Sequence, residues 1–561
     1  MDHDAGEKGR AQEGSDALII GTGLSGLVAA AELLDAGKSV TLLEQEPEQN
    51  LGGQAWWSFG GLFLVNSPEQ RHLGVRDSLD LARQDWFGSA EFDRPEDDQA
   101  MLWADAYLDF AAGEKRDWLY GLGIRFFPVV GWAERGGYSA SGHGNSVPRF
   151  HVLWGTGPGV LDPFIARVRR GVEEGRAQLR FRHRVDELVI RDGAVVGARG
   201  AVLADDAAVR GAPTNRDVVG EFELEAGAVI VSSGGIGGDH DLVRAQWPAW
   251  LGSPPERMLA GVPAHVDGRM LAIAHRAGGR LVNGDRMWHY VEGIQNHSPV
   301  WAGHGIRILP GPSSMWFDAE GRRLPGPLYP GFDTLGTLEW LRQTGHDHSW
   351  FVLDQRIIEK EFALSGSEQN PDLTGRSVTA LLRQRLGRGA PEPVEAFKRQ
   401  GADFVVADTI DELLDGMRQI APEAELDTAN VRAELVARDR EVRNRFSKDG
   451  QVTALRGARR YLGDRLIRTA RPHEILNPSA GPLIAVKLHV ITRKTLGGIQ
   501  TNLHAQVLDA AGAVIPGLYA AGEAAGFGGG GMHGYRSLEG TFLGACLFTG
   551  RVAGRAVAAG L

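Results

Sequence analysis

The amino-acid sequence predicts an α/β protein in which one parallel-sheet domain is split by an inserted α+β domain. Three observations carry that prediction. A short apolar run, ALII at 17–20, passes directly into a glycine-rich turn, Gly21–Gly26, and then a helical pattern. A second strand-and-glycine segment, IPGLYAAGEAAG at 515–526, stands near the other end of the chain. Between them lies a long block of different character, first rich in Pro, Gly, Trp and His, then charged and helix-periodic.

The first run is continuous in apolar residues, as suits a strand buried on both faces of a parallel sheet. In the turn, Gly21 permits the tight bend, Gly23 lets the backbone approach a pyrophosphate, and Gly26 lets the helix pack close to the strand. Leu24 and Ser25 open the helix, whose N-terminus adds partial positive charge. The next strand, SVTLLEQE, puts Glu44 about twenty residues past the glycines, where a carboxylate accepts hydrogen bonds from ribose hydroxyls, with Gln45 beside it. This is a complete dinucleotide fingerprint, but it does not separate FAD from NAD.

The following segment, LGGQAWWSFGGLF, narrows the choice. Gly52–Gly53 and Gly60–Gly61 flank a polar and aromatic stretch containing Gln54 and Ser58, a pattern suited to backbone lying against a flat ring and a diphosphate. Three later segments extend it: FRHRVDELVI around Val185, AVIVSSGGIGG with Ser233, Gly234 and Gly235, and IPGLYAAGEAAG with Gly522 and Glu523. In these motifs and their order the chain resembles the flavoprotein superfamily of fumarate reductases, succinate dehydrogenase flavoprotein subunits and 3-ketosteroid Δ1-dehydrogenases. The resemblance implies a Rossmann-like FAD-binding domain of the glutathione-reductase type, split by an inserted capping domain. It puts the backbone of Val185 at the adenine and Glu523 at the ribityl chain. Members that bond covalently to FAD have a His where this chain has Gln54, so a non-covalent flavin is expected. No second fingerprint is visible, and electrons are expected to leave to an external quinone, carrier or oxygen.

Bulk properties agree. At 561 residues the chain is too long for a single core. The expected division is a disordered tail at 1–15, a first FAD-binding segment at 16–285, a substrate or capping domain at 286–483, and a closing FAD-binding segment at 484–561. A net charge of −11 gives no positive field for nucleic acid or anionic membrane. Cys546 stands alone, which excludes an internal disulfide, a Cys-ligated iron–sulfur cluster and a c-type haem. No metal site is expected. No uncharged apolar run reaches the ~18 residues of a membrane span, and the expected location is cytoplasmic.

Within the insert, FDAEGRRL reads as a hairpin turning at Glu320 and Gly321, and about 350–465 as helical scaffold. The aromatic and glycine-rich stretch 118–157 is a second candidate wall, with Trp132 and Tyr138 as candidates.

The C-terminal run GFGGGGMHGYRSLEGTFLG carries the resemblance into the chemistry. It implies Ser537 and Leu538 beside the flavin. Arg536 matches the residue that clamps a substrate carboxylate in fumarate reductases, and Tyr535 the residue that holds the ketone in ketosteroid dehydrogenases. Glu539 replaces a glycine whose amide helps the same oxygen. Two fumarate contacts are lacking: Pro310 stands at the proton-donating Arg, with Arg307 nearby, and Lys494 stands at the substrate-binding His. The expected reaction is therefore α,β-dehydrogenation next to the carbonyl of an apolar, steroid-like ketone. Tyr535 is the expected oxygen donor and Tyr329 the base, its proton loosened by Arg307, Lys494 or Arg536. His533 is a candidate relay, and His289 and Tyr290 have weaker claims. The alternatives are an ene-reductase of fumarate-reductase type and a non-catalytic flavin-binding assembly protein. Convergence of Tyr535, Arg536 and Tyr329 on the flavin face, and loss of turnover on replacing them, separate catalysis by these residues from the assembly protein; anaerobic mixing with steroid ketones separates dehydrogenation from reduction.

Overall fold

The structure is a computed structural model that describes residues 14–137, 143–386 and 389–561. Residues 1–13 of the expected tail, and Tyr138, lie outside the described residues. Ser15, assigned to that tail, is already the first residue of a strand, Ser15–Ile20.

That strand is the centre of the first sheet. It pairs in parallel with Val40–Leu43 on one side and with Val218–Val231 on the other. From edge to edge the main path runs Gln506–Leu508, Val514–Ala520, Val218–Val231, Ser15–Ile20, Val40–Leu43 and Ala177–Arg180. Val514–Ala520 joins Val218–Val231 in parallel, so the two ends of the chain complete one sheet. The helices Leu24–Asp35 and Thr541–Gly560 pack together through small residues. A Cβ on Gly550 would stand 2.4 Å from the Ser25 carbonyl oxygen, and one on Gly554 2.6 Å from that of Ala29. The C-terminal helix is long and apolar enough to cross a membrane by length and composition alone. Its place is nonetheless in the core: Leu547, Ala553 and Val557 are buried, and Arg551 pairs with Glu32 and Glu114.

The insert forms a second, mainly antiparallel sheet in the order Met315–Asp318, His348–Asp354, Leu483–Thr495, Met287–Gln295, Gly305–Leu309 and Ala363–Leu364. The hairpin expected at FDAEGRRL is present, with Gly321 at a φ of +86° and Leu324 N–H returning to the Trp316 carbonyl, though its second arm is a single bridge at Arg323. Beyond His348–Asp354 the sequence is mostly helical, as expected, interrupted by the strand Phe404–Ala407.

The expected boundary at 483/484 falls at the start of the longest strand of this sheet. Leu483–Thr495 is one 13-residue strand wholly within the cap sheet. It therefore carries Arg493 and Lys494 from the cap down to the other domain. Its pairing with Met287–Gln295 is irregular between Trp288 and Tyr290, and a bulge of this kind turns neighbouring side chains away from strict alternation.

Candidate active site

A cleft of about 1630 Å³, including its solvent-open part, follows the carboxyl ends of the parallel strands at Ile20, Leu43 and Ser232 and continues under the cap sheet. This is where open α/β sheets bind ligands.

One wall fits FAD by its own geometry. Gly21, Gly23, Leu24, Ser25, Glu44, Gln45, Gly53, Gln54, Ser58, Gly60, Gly61, Val185, Ser233, Gly234 and Glu523 line the cleft. The helix Leu24–Asp35 begins after Gly23 with no side-chain cap, so its first N–H groups have no side chain on them, the arrangement that receives a pyrophosphate. Gly21 has a φ of +102°, and a Cβ there would meet the Ser232 carbonyl oxygen at 2.9 Å. Glu44 is fixed by Thr22, whose amide and hydroxyl donate to Oε2 at 3.0 and 2.7 Å, while the Glu46 amide donates to Oε1 at 3.1 Å. A carboxylate has about four acceptor positions, so capacity remains for ribose hydroxyls.

Other expected cofactor residues stand behind this wall. A Cβ on Gly26 would lie 2.3 Å from the Gly21 carbonyl oxygen, and one on Gly52 2.5 Å from Leu161 Cδ1. One on Gly235 would lie 2.3 Å from Thr495 Oγ1, and one on Gly522 2.4 Å from Ser25 Oγ. These glycines permit backbone approach between protein segments. Ser537 and Leu538 also miss the cleft. The helix starts only at Thr541 after Gly540, and the Ser537 hydroxyl turns back to Thr541 Oγ1 at 2.9 Å. Glu539 and Gly540 are the residues presented to the cleft.

Where the cleft passes under the cap, Gln54 donates to Glu523 Oε2 at 3.0 Å and accepts from Lys494 Nζ at 2.8 Å. Burial pulls the Lys494 ammonium below its usual pKa, opposed by Glu523. Burial pushes the neighbouring Cys546 thiol up to about 12, which leaves it protonated and unreactive. Beyond lie Tyr290, Arg307, Leu309, Ser365, Arg493 and Glu539. The Arg307 guanidinium lies 3.5 Å from the centre of the Tyr290 ring, donates to Glu539 Oε1 at 2.8 Å, and has Glu292 Oε2 3.5 Å from its Nε. The Trp288 indole N–H also donates to Glu539 Oε1, at 3.4 Å, so both bonds fall on one oxygen. Burial raises the Tyr290 phenol far above its ordinary range, Glu539 adding to this and Arg307 opposing it. Burial alone would lower Arg307, but Glu539, Tyr290, Glu292 and Glu134 outweigh it and hold the guanidinium charged.

The residues expected to carry the chemistry are mostly elsewhere. Arg307 and Lys494 line the cleft, but Tyr535, Arg536, Tyr329 and His533 do not. The Tyr535 hydroxyl accepts from Arg94 and donates to Asp93, both at 3.1 Å, and the Arg286 guanidinium covers its ring at 4.2 Å. Arg536 is taken up by Glu91 at 2.6 Å and Asp333 at 3.7 Å. Tyr329 packs edge-on to Phe332, and its pKa is raised by burial and Asp449, the opposite of what a base needs. His533 is fully buried behind the cleft, bonded to Thr541 at 2.9 Å and stacked on Trp86, with burial lowering its pKa to about 3. His289 stacks on Trp247 away from the cleft, and Trp132 lies under Arg135. Tyr535, Arg536 and Tyr329 thus do not converge.

Sequence reasoning gave Tyr290 a weak claim, used Glu539 only to modify another site, and passed over Arg493 and Ser365. A signal for part of this was present. Arg307 and Leu309 are two apart on one strand, and both line the cleft, as the period-two alternation of a strand allows.

Comparison with known proteins agrees with this architecture. The model of a family described as an FAD binding domain matches residues 16–543. A KsdD-like steroid dehydrogenase of Mycobacterium tuberculosis is 61% identical over 97% of this chain and 96% of its own length. Among solved structures, the 3-ketosteroid delta1-dehydrogenase from Sterolibacterium denitrificans, in complex with 1,4-androstadiene-3,17-dione, superposes with a TM-score of 0.65 at 16% identity, covering 98% of this chain and all of that one. The open conformation of a flavocytochrome c3 fumarate reductase gives 0.62 at 20% identity, over 98% of this chain and 78% of that one. These two likenesses establish the fold. With a dinucleotide cleft of the right form and a close relative along nearly its whole length, the chain belongs to the FAD-binding family of KsdD-like steroid dehydrogenases and is an FAD-dependent oxidoreductase.

Proposed function

We propose that the protein dehydrogenates the α,β-bond next to the carbonyl of an apolar, steroid-like ketone, using non-covalent FAD and an external quinone, carrier or oxygen as acceptor. The observation that carries the reading is the buried group of Tyr290, Arg307 and Glu539 at the far end of the nucleotide cleft. FAD, when bound, supplies the acceptor for the hydride of the β-carbon. The protein supplies the rest. Tyr290, kept protonated by its surroundings, donates a hydrogen bond to the carbonyl oxygen, and Arg307 behind it stabilises negative charge forming there. Donors of this kind are each worth roughly 10²–10³ in rate. Glu539 accepts the α-proton, with Arg307 and Trp288 orienting its carboxylate through Oε1.

Phe59, Phe150, Leu309, Phe527, Phe542 and Leu543 give the cleft an apolar lining, consistent with the substrate named for its relatives. Arg307 is already matched by Glu539 and Glu292, which makes it less available to a substrate carboxylate. Gln54 presents an amide, which lacks the nucleophilic nitrogen of histidine, and this supports the non-covalent flavin.

Anaerobic mixing with a 3-ketosteroid tests the reaction: bleaching of the yellow flavin is expected. Absence of bleaching, together with reoxidation of pre-reduced protein by the matching enone, would establish ene reduction instead. Acid precipitation should leave the flavin in the supernatant. Colour that stays with the pellet would contradict non-covalent binding.

A further inference from the structure

A second, smaller cavity adjoins the cleft and shares Arg307, Ser365 and Arg493 with it as a common wall. Its further lining includes Trp57, Trp301, His304, Ile306 and Glu368, and it has room for about one water molecule. Such a space holds water when several polar groups face it, and here His304, Ser365, Glu368 and the two arginines do. Glu368 Oε2 is buried with no hydrogen-bond partner among the described residues.

We propose that Glu368 is the outlet of a proton path that leaves the reacting end of the cleft through the Ser365 hydroxyl and one water in this cavity. The path rests on the reading that a proton is released at Glu539. One proton crosses, the Glu368 carboxylate becomes a carboxylic acid, and the proton then passes to bulk water. No electrons move along it.

The other lining groups are unsuited to carrying the proton. Arginine has no acceptor, which removes Arg307 and Arg493. His304 lies 3.5 Å from the Trp301 ring centre, stacked on it, and burial together with Arg493 lowers its pKa to about 3. It therefore stays neutral at working pH. Glu368 is the carboxyl among them. Burial lifts its pKa to about 7, opposed by its own amide, Arg493, Gln369 and Ser367, so both protonation states are populated near neutrality.

The test compares the FAD-loaded protein with its Glu368→Gln variant. Infrared difference titration should show a protonated-carboxyl band disappearing near pH 7 in the parent and absent from the variant. Flavin content and steroid affinity should be retained. Flavin reduction by the steroid should slow roughly tenfold in the variant, and its pH profile should lose the limb near pH 7. Ser365→Ala, which keeps the acid and removes the relay, should slow the step while retaining the infrared band, and carries the test if Glu368→Gln does not fold. An unchanged rate and pH profile in either variant would overturn the path. If no ketosteroid bleaches the flavin at all, the functional reading has failed. The path is then decided by proton uptake after photochemical reduction in weakly buffered dye, where equal rates in parent and variant would sink it.

Discussion

The two ends of the cleft were built under different constraints. At the nucleotide end the contacts are made by backbone, and the side chains that matter are absent ones: Gly21, Gly23 and Gly53 line the cleft because nothing projects from them. At the cap end the contacts are side chains from four separate segments, Tyr290 and Arg307 on adjacent strands of the cap sheet, Arg493 on the long strand beside them, and Glu539 before the last helix. A cofactor shared across a superfamily fixes the first end, whereas the second can be rebuilt by moving one loop or one bulge. The same C-terminal run shows this within itself. Glu539 reaches the cleft, while Tyr535 is held by Asp93 and Arg94.

The comparison can be broken most directly at Glu539. Glu539→Gln keeps the shape but removes the proton acceptor, and flavin reduction should fall by roughly 10²–10⁴ with flavin content unchanged, as measured by anaerobic stopped flow. If the variant instead loses its flavin, Glu539 belongs to the nucleotide end. At that end, Gly26→Ala places a Cβ against the Gly21 carbonyl oxygen. It should cost about 1–3 kcal/mol of stability and at least tenfold in FAD retention, read by denaturant melts and by absorbance after desalting.

A smaller effect belongs to Glu368. Its folded carboxyl stays protonated up to a pH of about 7, whereas the unfolded group ionises from about 4.5. Between those values the folded state holds more protons, so stability falls as pH rises and is level above about 7. Glu368→Gln has no such titration and should gain roughly 1–3 kcal/mol on the parent at pH 8 relative to pH 4, in urea melts at the two pH values. The smallest effects are expected where the resemblance placed chemistry and the structure placed packing. Tyr329→Phe and Arg536→Lys should leave flavin reduction within about threefold, because neither side chain lines the cleft: Tyr329 packs on Phe332 and Arg536 is held by Glu91 and Asp333.

Much of the fold was legible because its signals are local. An apolar strand, a glycine turn and an acid at fixed spacing belong to one βαβ unit, and the sheet confirms their places at Ile20, Gly21 and Glu44. The cap hairpin at Gly321 and the helices beyond His348–Asp354 were legible for the same reason. The reacting end was not, since its members lie far apart in sequence and meet only through strand register. The irregular pairing beside Tyr290 and the late start of the helix at Thr541 decide which residues face the cleft, and neither leaves a mark in composition or periodicity. Residues matched by position, such as Tyr535, kept their place in the sequence while the loop carried their side chains to other partners.

The central claim is that the substrate carbonyl is held by Tyr290 and not by Tyr535. The most direct measurement is the rate of flavin reduction by a 3-ketosteroid in Tyr290→Phe and Tyr535→Phe, taken side by side at saturating substrate. The account predicts a loss of roughly 10²–10³ for Tyr290→Phe and a rate within about threefold of the parent for Tyr535→Phe. A large loss in Tyr535→Phe with Tyr290→Phe unaffected would contradict it.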